Sequence, residues 1–398
     1  MYIRELSNPE YDNFAKNYPY GSLYQSCEYS FVMNNNGFET MFLGMIDDTN
    51  NIVAATTLII EKQAGFKYAY APRGFLIDYN DYNLLETFTT LTKKYVSKKD
   101  IIAIKLSPLI VRNTYNIKTG QVEHNPNYDT IFNNLNKLGY FHFGYNNMFE
   151  AIKPRFEALI NIDKPYYEVF SNIKKNYRTK IRSAAKCGVK IYRGDEKDLP
   201  FLYMNSIKDH KEDLKYYNDC FYFFKNTNRI EFFYAKIDTE VYLRYIQSQY
   251  HKYEQLSYQI NNSILENNSA NKEKLISKKI KIDNLFNKYK NELVEATKYI
   301  REYPDGIIAA SALVIKYRDE AYLIIDNLDK KYARINAKQL LIWKLLEKYS
   351  NNGYKTFNLG GFTNPNMANN PYKKLNTYKM NYNPIINEYL GAEMQWAE

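Results

Sequence analysis

At 398 residues, 45% of them hydrophobic and 25% charged, the chain is too long for one ordinary core and too apolar for a disordered one, so two lobes are expected. No apolar run reaches the length of a membrane span and residues 1–9 lack a basic-then-apolar leader, so a cytoplasmic location is expected. The formal net charge of +10 favours polyanionic partners such as tRNA, pyrophosphate or an anionic membrane face. Cys27, Cys187 and Cys220 are scattered, and His124, His142, His210 and His251 show no metal-binding spacing, which argues against disulfides, zinc and histidine-centred catalysis.

In chain order, the first clear element is a strand at Ile52-Val53-Ala54-Ala55-Thr56-Thr57-Leu58, following the turn-rich residues 47–51. A second strand is expected over 66–70, an amphipathic helix over 83–97, and a buried strand over 101–106. Near the middle of the chain, Lys174, Arg178, Arg182 and Lys186 recur every four residues, with Ile173, Tyr177, Ile181 and Ala184 on the opposite side and Gly188 as a helix stop. Four like charges on one stripe repel one another unless an anion compensates them, so phosphate contact and a solvated basic face both explain this helix.

Residues 239–302 contain neither proline nor glycine and repeat apolar residues at helical spacing, with a turn expected in 267–271. The narrow seam and strongly polar outer faces predict an antiparallel two-helix coiled-coil arm. After it the opening pattern returns: Ile307-Ile308-Ala309-Ala310-Ser311-Ala312-Leu313 echoes residues 52–58, followed by a strand over 321–325, a helix over 336–350 and a strand over 355–359. Strand, strand, helix, strand at matched spacing is the core order of a GNAT-type acyltransferase lobe. The expected fold is α/β (α+β): tandem GNAT-like lobes, 1–150 and 151–381, with the arm inserted in the second and a tail, 382–398, able to pack back on the first.

Short motifs carry a resemblance along nearly the whole chain. Lys153-Pro154-Arg155 and the segment holding Arg178, Ile181, Arg182, Ala184, Lys186, Gly188 and Val189 resemble the signature of the FemABX family. Pro19-Tyr20-Gly21 with Gln25 and Tyr29, Tyr70-Ala71-Pro72-Arg73-Gly74, Phe357-Asn358-Leu359-Gly360-Gly361, Tyr378-Lys379 and Tyr389-Leu390-Gly391-Ala392-Glu393 resemble its other blocks. The resemblance implies transfer of an amino acid from aminoacyl-tRNA to the stem-peptide amine of a peptidoglycan precursor, either lipid II or UDP-MurNAc-pentapeptide, in cell wall biogenesis. It implies no metal or redox cofactor, with aminoacyl-tRNA as co-substrate. Association with the inner membrane face and a homo- or heterodimer with related transferases are consistent with it.

By the same resemblance, Lys379 matches the position that stabilises the oxyanion of ester aminolysis. Gln25, Tyr29, Tyr70, Arg73, Tyr222, Gly360, Gly361 and Tyr378 are the substrate-binding candidates. Lys174, Arg178, Arg182, Lys186 and Lys215 are those for tRNA or phosphate. The chain departs from the family at Ser107, Tyr378 and Phe75, where the pattern has Asp, Phe and Pro. It also lacks a lysine near Phe31 and Met33 and an arginine ahead of Tyr222-Phe223, which shifts phosphate recognition toward Lys215, Arg73 and the basic helix. No residue stands out as a general base, so proton transfer through the substrate is expected. The segment 364–371 is a candidate loop over the site. Two other functions fit the lobes: an acyl-CoA-dependent N-acyltransferase, although neither repeat carries the usual pyrophosphate turn, and a non-catalytic tRNA- or wall-precursor-binding relative.

Overall fold

The computed structural model describes residues 1–203, 214–266 and 272–396; His210 and the arm's expected turn at 267–271 lie outside them. The first lobe contains β1 (Tyr2–Glu5), α1 (Asn8–Asn17), α2 (Cys27–Asn35), β2 (Glu39–Ile46), β3 (Ile52–Gln63), β4 (Phe66–Arg73), α3 (Tyr82–Ser97) and β5 (Ile101–Pro108). A hairpin of β6 (Val111–Asn116) and β7 (Val122–His124) follows, then α4 (Tyr128–Lys137) and β8 (Phe141–His142). The second lobe begins with β9 (Phe156–Asn161), α5 (Tyr166–Asn172), α6 (Lys175–Lys186), β10 (Val189–Gly194), α7 (Leu214–Lys225) and β11 (Ile230–Ile237). Two long helices, α8 (Thr239–Glu266) and α9 (Lys272–Glu302), lead into β12 (Ile307–Tyr317), β13 (Glu320–Leu328), α10 (Ala337–Asn351) and β14 (Thr356–Phe362). The chain closes with α11 (Lys373–Met380), β15 (Ile385–Tyr389) and β16 (Glu393–Trp396).

The two copies of the repeat fold alike. β3 pairs antiparallel with β4, which pairs parallel with β5; β12 pairs antiparallel with β13, which pairs parallel with β14. A parallel neighbour requires a crossover, and α3 and α10 supply it. The Asp81 carboxylate accepts the Leu84 N–H at 3.0 Å and starts α3, while Asn336, at φ +61°, turns the chain into α10.

Strand exchange blurs the lobe boundaries expected at 150 and 381. Among the described residues the sheet orders are β1-β2-β3-β4-β5-β16-β8 and β10-β11-β12-β13-β14-β9-β15-β6-β7. The hairpin of lobe 1 therefore extends the sheet of lobe 2, and of the tail only β16 returns to lobe 1. A buried carboxylate explains the exchange: Glu388 on β15 accepts hydrogen bonds from Asn113 at 2.7 Å, Tyr115 at 2.8 Å and Arg112 at 3.2 Å, all on β6, and from Arg155. Burial pushes its pKa up, but the Asn113 hydrogen bond and the Arg155 charge outweigh that and hold it below the usual range.

Each lobe has its own core, and a third cluster joins Tyr29 and Val32 of α2 to Tyr217, Phe221 and Phe224 of α7 and Ile325 of β13. α8 and α9 emerge between the paired strands β11 and β12. Their inner ends are rooted in lobe 2 by the buried Tyr242, Ile246 and Ala296. Farther out they are joined by the stacked Tyr253 and Tyr289 rings at 5.3 Å and by Ser257 Oγ donating to Asp283 at 2.5 Å.

Candidate active site

In lobe 2 the parallel pair β13 and β14 is in register only over Glu320–Tyr322 and Thr356–Asn358, then parts. The cause is local. β14 breaks register with β9 between Asn358 and Gly361, where Gly360 sits at φ +77° and the Asn358 side chain accepts the Gly360 N–H at 2.7 Å. This bulge turns the Gly361 carbonyl toward α11, where Lys379 Nζ donates to it at 2.5 Å.

Lys379 is 7% exposed, and burial, helped by the like charge of Lys338, lowers its pKa to about 8 against the opposing pull of Asp326. Asp326, at the open end of β13, accepts from Tyr378 Oη at 3.1 Å and from Lys338 Nζ at 2.8 Å, and the Lys338 ammonium lies 4.4 Å from the centre of the Tyr378 ring. Lysine, tyrosine and aspartate thus form a buried polar group at the mouth of the strand gap. It can present an ammonium, switchable near neutral pH, to a developing oxyanion.

Residues 143–155 run as a strap over this gap. A side chain at Gly361 would place its Cβ 2.7 Å from the Phe149 ring and 3.1 Å from Pro154, so glycine is required for the strap to lie this close. Phe149 meets Tyr372 edge-on at 4.9 Å, and Asn147 bonds to the backbone and side chain of Asn364, which ties the 364–371 loop to the strap. Lys153 Nζ lies 3.1 Å from the Tyr29 hydroxyl and 3.5 Å from the Tyr24 ring centre, while the Pro154 carbonyl accepts from Arg73 at 2.8 Å. The strap thereby brings Tyr29, Arg73, Gly361 and Lys379 into one neighbourhood. Tyr70 lies at its lobe 1 end, hydrogen-bonded to Ser107 at 2.7 Å, in a crevice of only about 10 Å³ also lined by Lys105, Lys153 and Arg155.

Other candidates have structural surroundings. Gln25 is wholly buried: its carbonyl accepts from the Thr57 N–H at 2.8 Å and the Tyr11 hydroxyl at 3.1 Å, and its amide donates to the Pro72 carbonyl at 2.8 Å. It ties the turn before α2 to α1, β3 and β4. Arg73 is 3% exposed and bonds Glu157 of β9 at 2.6 Å, which makes it a clamp between the lobes. Lys215 donates to Asp219 and to the Asn35 carbonyl, both at 2.8 Å, and so binds α7 to the end of α2. Tyr222 is exposed on α7, packed edge-on against Phe223.

The basic helix lies closer to the gap than its sequence position suggests. The Lys174 N–H donates to the Asn381 carbonyl at 3.0 Å, and Tyr177 meets Tyr382 at 5.2 Å, so the stripe starts beside the end of α11. Lys174, Arg182 and Lys186 are exposed and Arg178 is half-buried with a buried Nε lacking a hydrogen-bond partner; Arg182 also lies over the Phe170 ring. The first turn of α6 holds no acidic residue, so Lys174, Lys175 and Arg178 oppose the helix dipole. Stability alone does not favour that arrangement.

Lys338, Asp326, Glu157 and the strap residue Phe149 were not singled out from sequence as site residues. Asp326 had a usable signal, a carboxylate at the end of the repeat's second strand. Phe149 had none.

One strand order folded twice, with the central parallel strands of the second sheet parting beside a buried ammonium, defines a tandem α/β architecture. In a solved structure described as the crystal structure of FemX, the same fold recurs at TM-score 0.75 and 19% identity, covering 99% of this chain and 97% of that one. The FemAB family profile matches residues 6–395, and the chain belongs to that family. A lipid II:glycine glycyltransferase from Staphylococcus haemolyticus is 24% identical over 97% of this chain and 90% of its own length. The aminoacyltransferase FemA of Staphylococcus epidermidis is 23% identical over 98% and 95%.

Proposed function

We propose that this chain is an aminoacyltransferase that moves an amino acid from aminoacyl-tRNA to the stem-peptide amine of lipid II, building the peptide bridge of peptidoglycan on the cytoplasmic side of the membrane. Full-length similarity to transferases named for lipid II and for aminoacyl transfer supports the reaction class. The observation that carries the site is the Lys379 ammonium buried in the strand gap of lobe 2.

In this reading the acceptor amine attacks the ester carbonyl, and the carbonyl electron pair moves onto oxygen. Lys379 exchanges its bond to the Gly361 carbonyl for one to that oxyanion. As the intermediate collapses, the new C–N bond remains, the C–O bond to the ribose breaks, and the amine's proton passes to the departing ribose oxygen. Asp326, itself fixed by Tyr378 and Lys338, supplies the negative charge that favours the ammonium form of the lysine. The half-buried and exposed cations of α6 lead from the gap outward and supply contacts for the tRNA backbone. The crevice at Tyr70, about 10 Å³, is too small for a stem peptide, so in this reading the acceptor approaches from outside it.

The test combines purified protein with tRNA carrying a radiolabelled amino acid and with lipid II. Label moving to lipid II is the expected result. Label that stays on tRNA while an acyl-CoA supports acylation would overturn the proposal in favour of a CoA-dependent transferase, and binding of both substrates without transfer would favour a non-catalytic relative.

A further inference from the structure

The strap and the neighbouring helix α11 carry a patch of large apolar side chains turned to solvent. Phe141 is 62% exposed, Ile152 60%, Phe143 48%, Tyr372 41% and Leu375 36%. Phe141 and Phe143 pack edge-on at 5.9 Å, and Lys105 lies 5.1 Å from the Phe143 ring centre and shares a crevice with Ile152; Phe149, three residues before Ile152 on the strap, packs on Tyr372, which lies one helical turn before Leu375. Exposed apolar side chains grouped in this way mark a docking surface.

Charge and geometry select the occupant. Lys105, Lys373 and Lys374 flank the apolar residues, the last two exposed between Tyr372 and Leu375 in sequence, and Glu150 is the acidic residue within the strap. Aromatic and aliphatic side chains bordered by lysines match the boundary of an anionic bilayer, where rings enter the headgroup layer and ammonium groups meet phosphates. β8, the sheet edge beneath the patch, is only two residues long, which offers a second protein strand little to pair with.

We propose that the face formed by Phe141, Phe143, Ile152, Tyr372 and Leu375, with Lys105, Lys373 and Lys374 at its rim, seats the protein on an anionic phospholipid surface. It thereby sets the mouth of the lobe 2 gap against the membrane. The inference rests on the proposed lipid-linked acceptor for its purpose. Docking here would place the strap between the site and the bilayer, where contact with lipid competes with the Phe149 and Pro154 contacts that hold it down.

The experiment measures co-sedimentation of the full chain with phosphatidylglycerol vesicles and with phosphatidylcholine vesicles, and transfer to lipid II in vesicles and to a water-soluble UDP-linked stem peptide. Wild type is expected to prefer phosphatidylglycerol. The double variant Phe141→Ser, Leu375→Ser is expected to lose about tenfold or more in vesicle affinity, and transfer to lipid II with it, while transfer to the soluble acceptor is unchanged. Lys373→Glu with Lys374→Glu, which keeps every apolar group, is expected to weaken binding to phosphatidylglycerol only. Vesicle binding by the Phe141→Ser, Leu375→Ser variant equal to wild type would overturn the inference, as would a change in its oligomeric state without a change in vesicle binding. Patch-dependent vesicle binding by a protein that transfers to neither acceptor would uphold the docking face and sink the proposed reaction.

Discussion

The two lobes share one strand order and differ at one place. In lobe 1, β4 and β5 stay paired from Lys67 to Arg73, and the end of the pair is sealed by the Arg73 to Glu157 clamp. In lobe 2, β13 and β14 part after Tyr322 and Asn358, and the opening receives Lys379. One bulge with a left-handed glycine separates a copy whose strands stay paired from a copy whose strands part beside a buried ammonium. The two frames are alike, and the proposed reaction uses the one that departs from the common pattern.

Breaking the closed end should have the largest effect on stability. Arg73→Ala leaves Glu157 buried without its cation, and a loss of about 3–5 kcal/mol in denaturant unfolding is expected. Replacing both partners together, Arg73→Met with Glu157→Leu, is expected to recover much of that loss. If the single variant unfolds like wild type, the clamp does not hold the lobes.

Lys379 also makes stability depend on pH in a defined direction. Its pKa is near 8 folded and 10.5 as an unperturbed lysine, so between those values the unfolded chain binds more protons. Folding stability from this group therefore rises as pH increases from about 8 to 10.5, and below pH 8 the charged lysine carries its full burial cost, on the order of 3 kcal/mol. Lys379→Met should flatten that rise and be the more stable protein at pH 7, measured by urea unfolding at several pH values. Transfer has the opposite slope: as Lys379 loses its proton above pH 8, the rate should fall.

Closing the open end from within is a milder perturbation. Gly361→Ala forces the Phe149 ring or Pro154 to shift, with an expected cost of about 1–2 kcal/mol and a looser strap, detectable as faster proteolysis within 143–155. An alanine variant with unchanged stability and unchanged strap cleavage would show that the strap does not depend on this close approach. The smallest effect is expected at the basic stripe. Arg182→Gln with Lys186→Gln should reduce the log–log slope of charged-tRNA affinity against salt by about 1–2. An unchanged slope would assign the stripe to another role.

The repeat was legible because strand and helix periodicities are local, and both copies lie close to the expected residues. The α6 face was legible for the same reason: Ile173, Tyr177, Ile181 and Ala184 are all buried. Strand exchange was not, since β6 and β15 are short and owe their places to Glu388, whose partners lie more than 230 residues away. Gln25 reads as a polar binding residue in sequence, and its hydrogen bonds to Thr57 and Pro72 exist only after the fold forms. Tyr222 did carry a readable warning: Tyr217, Phe221 and Phe224 mark the buried stripe of α7, and Tyr222 falls outside it. Around Lys379, the motif position was visible but the tuning by Asp326 and Lys338 was not, because those residues come from β13 and α10.

The most direct test of the parted-strand account is single-turnover transfer from charged tRNA to lipid II by wild type and Lys379→Met, with folding of both verified. Loss of an oxyanion-stabilising cation predicts a rate reduction of about 100-fold or more. A rate within about threefold of wild type, a difference below roughly 1 kcal/mol, would contradict the assignment of the lobe 2 gap as the reaction centre.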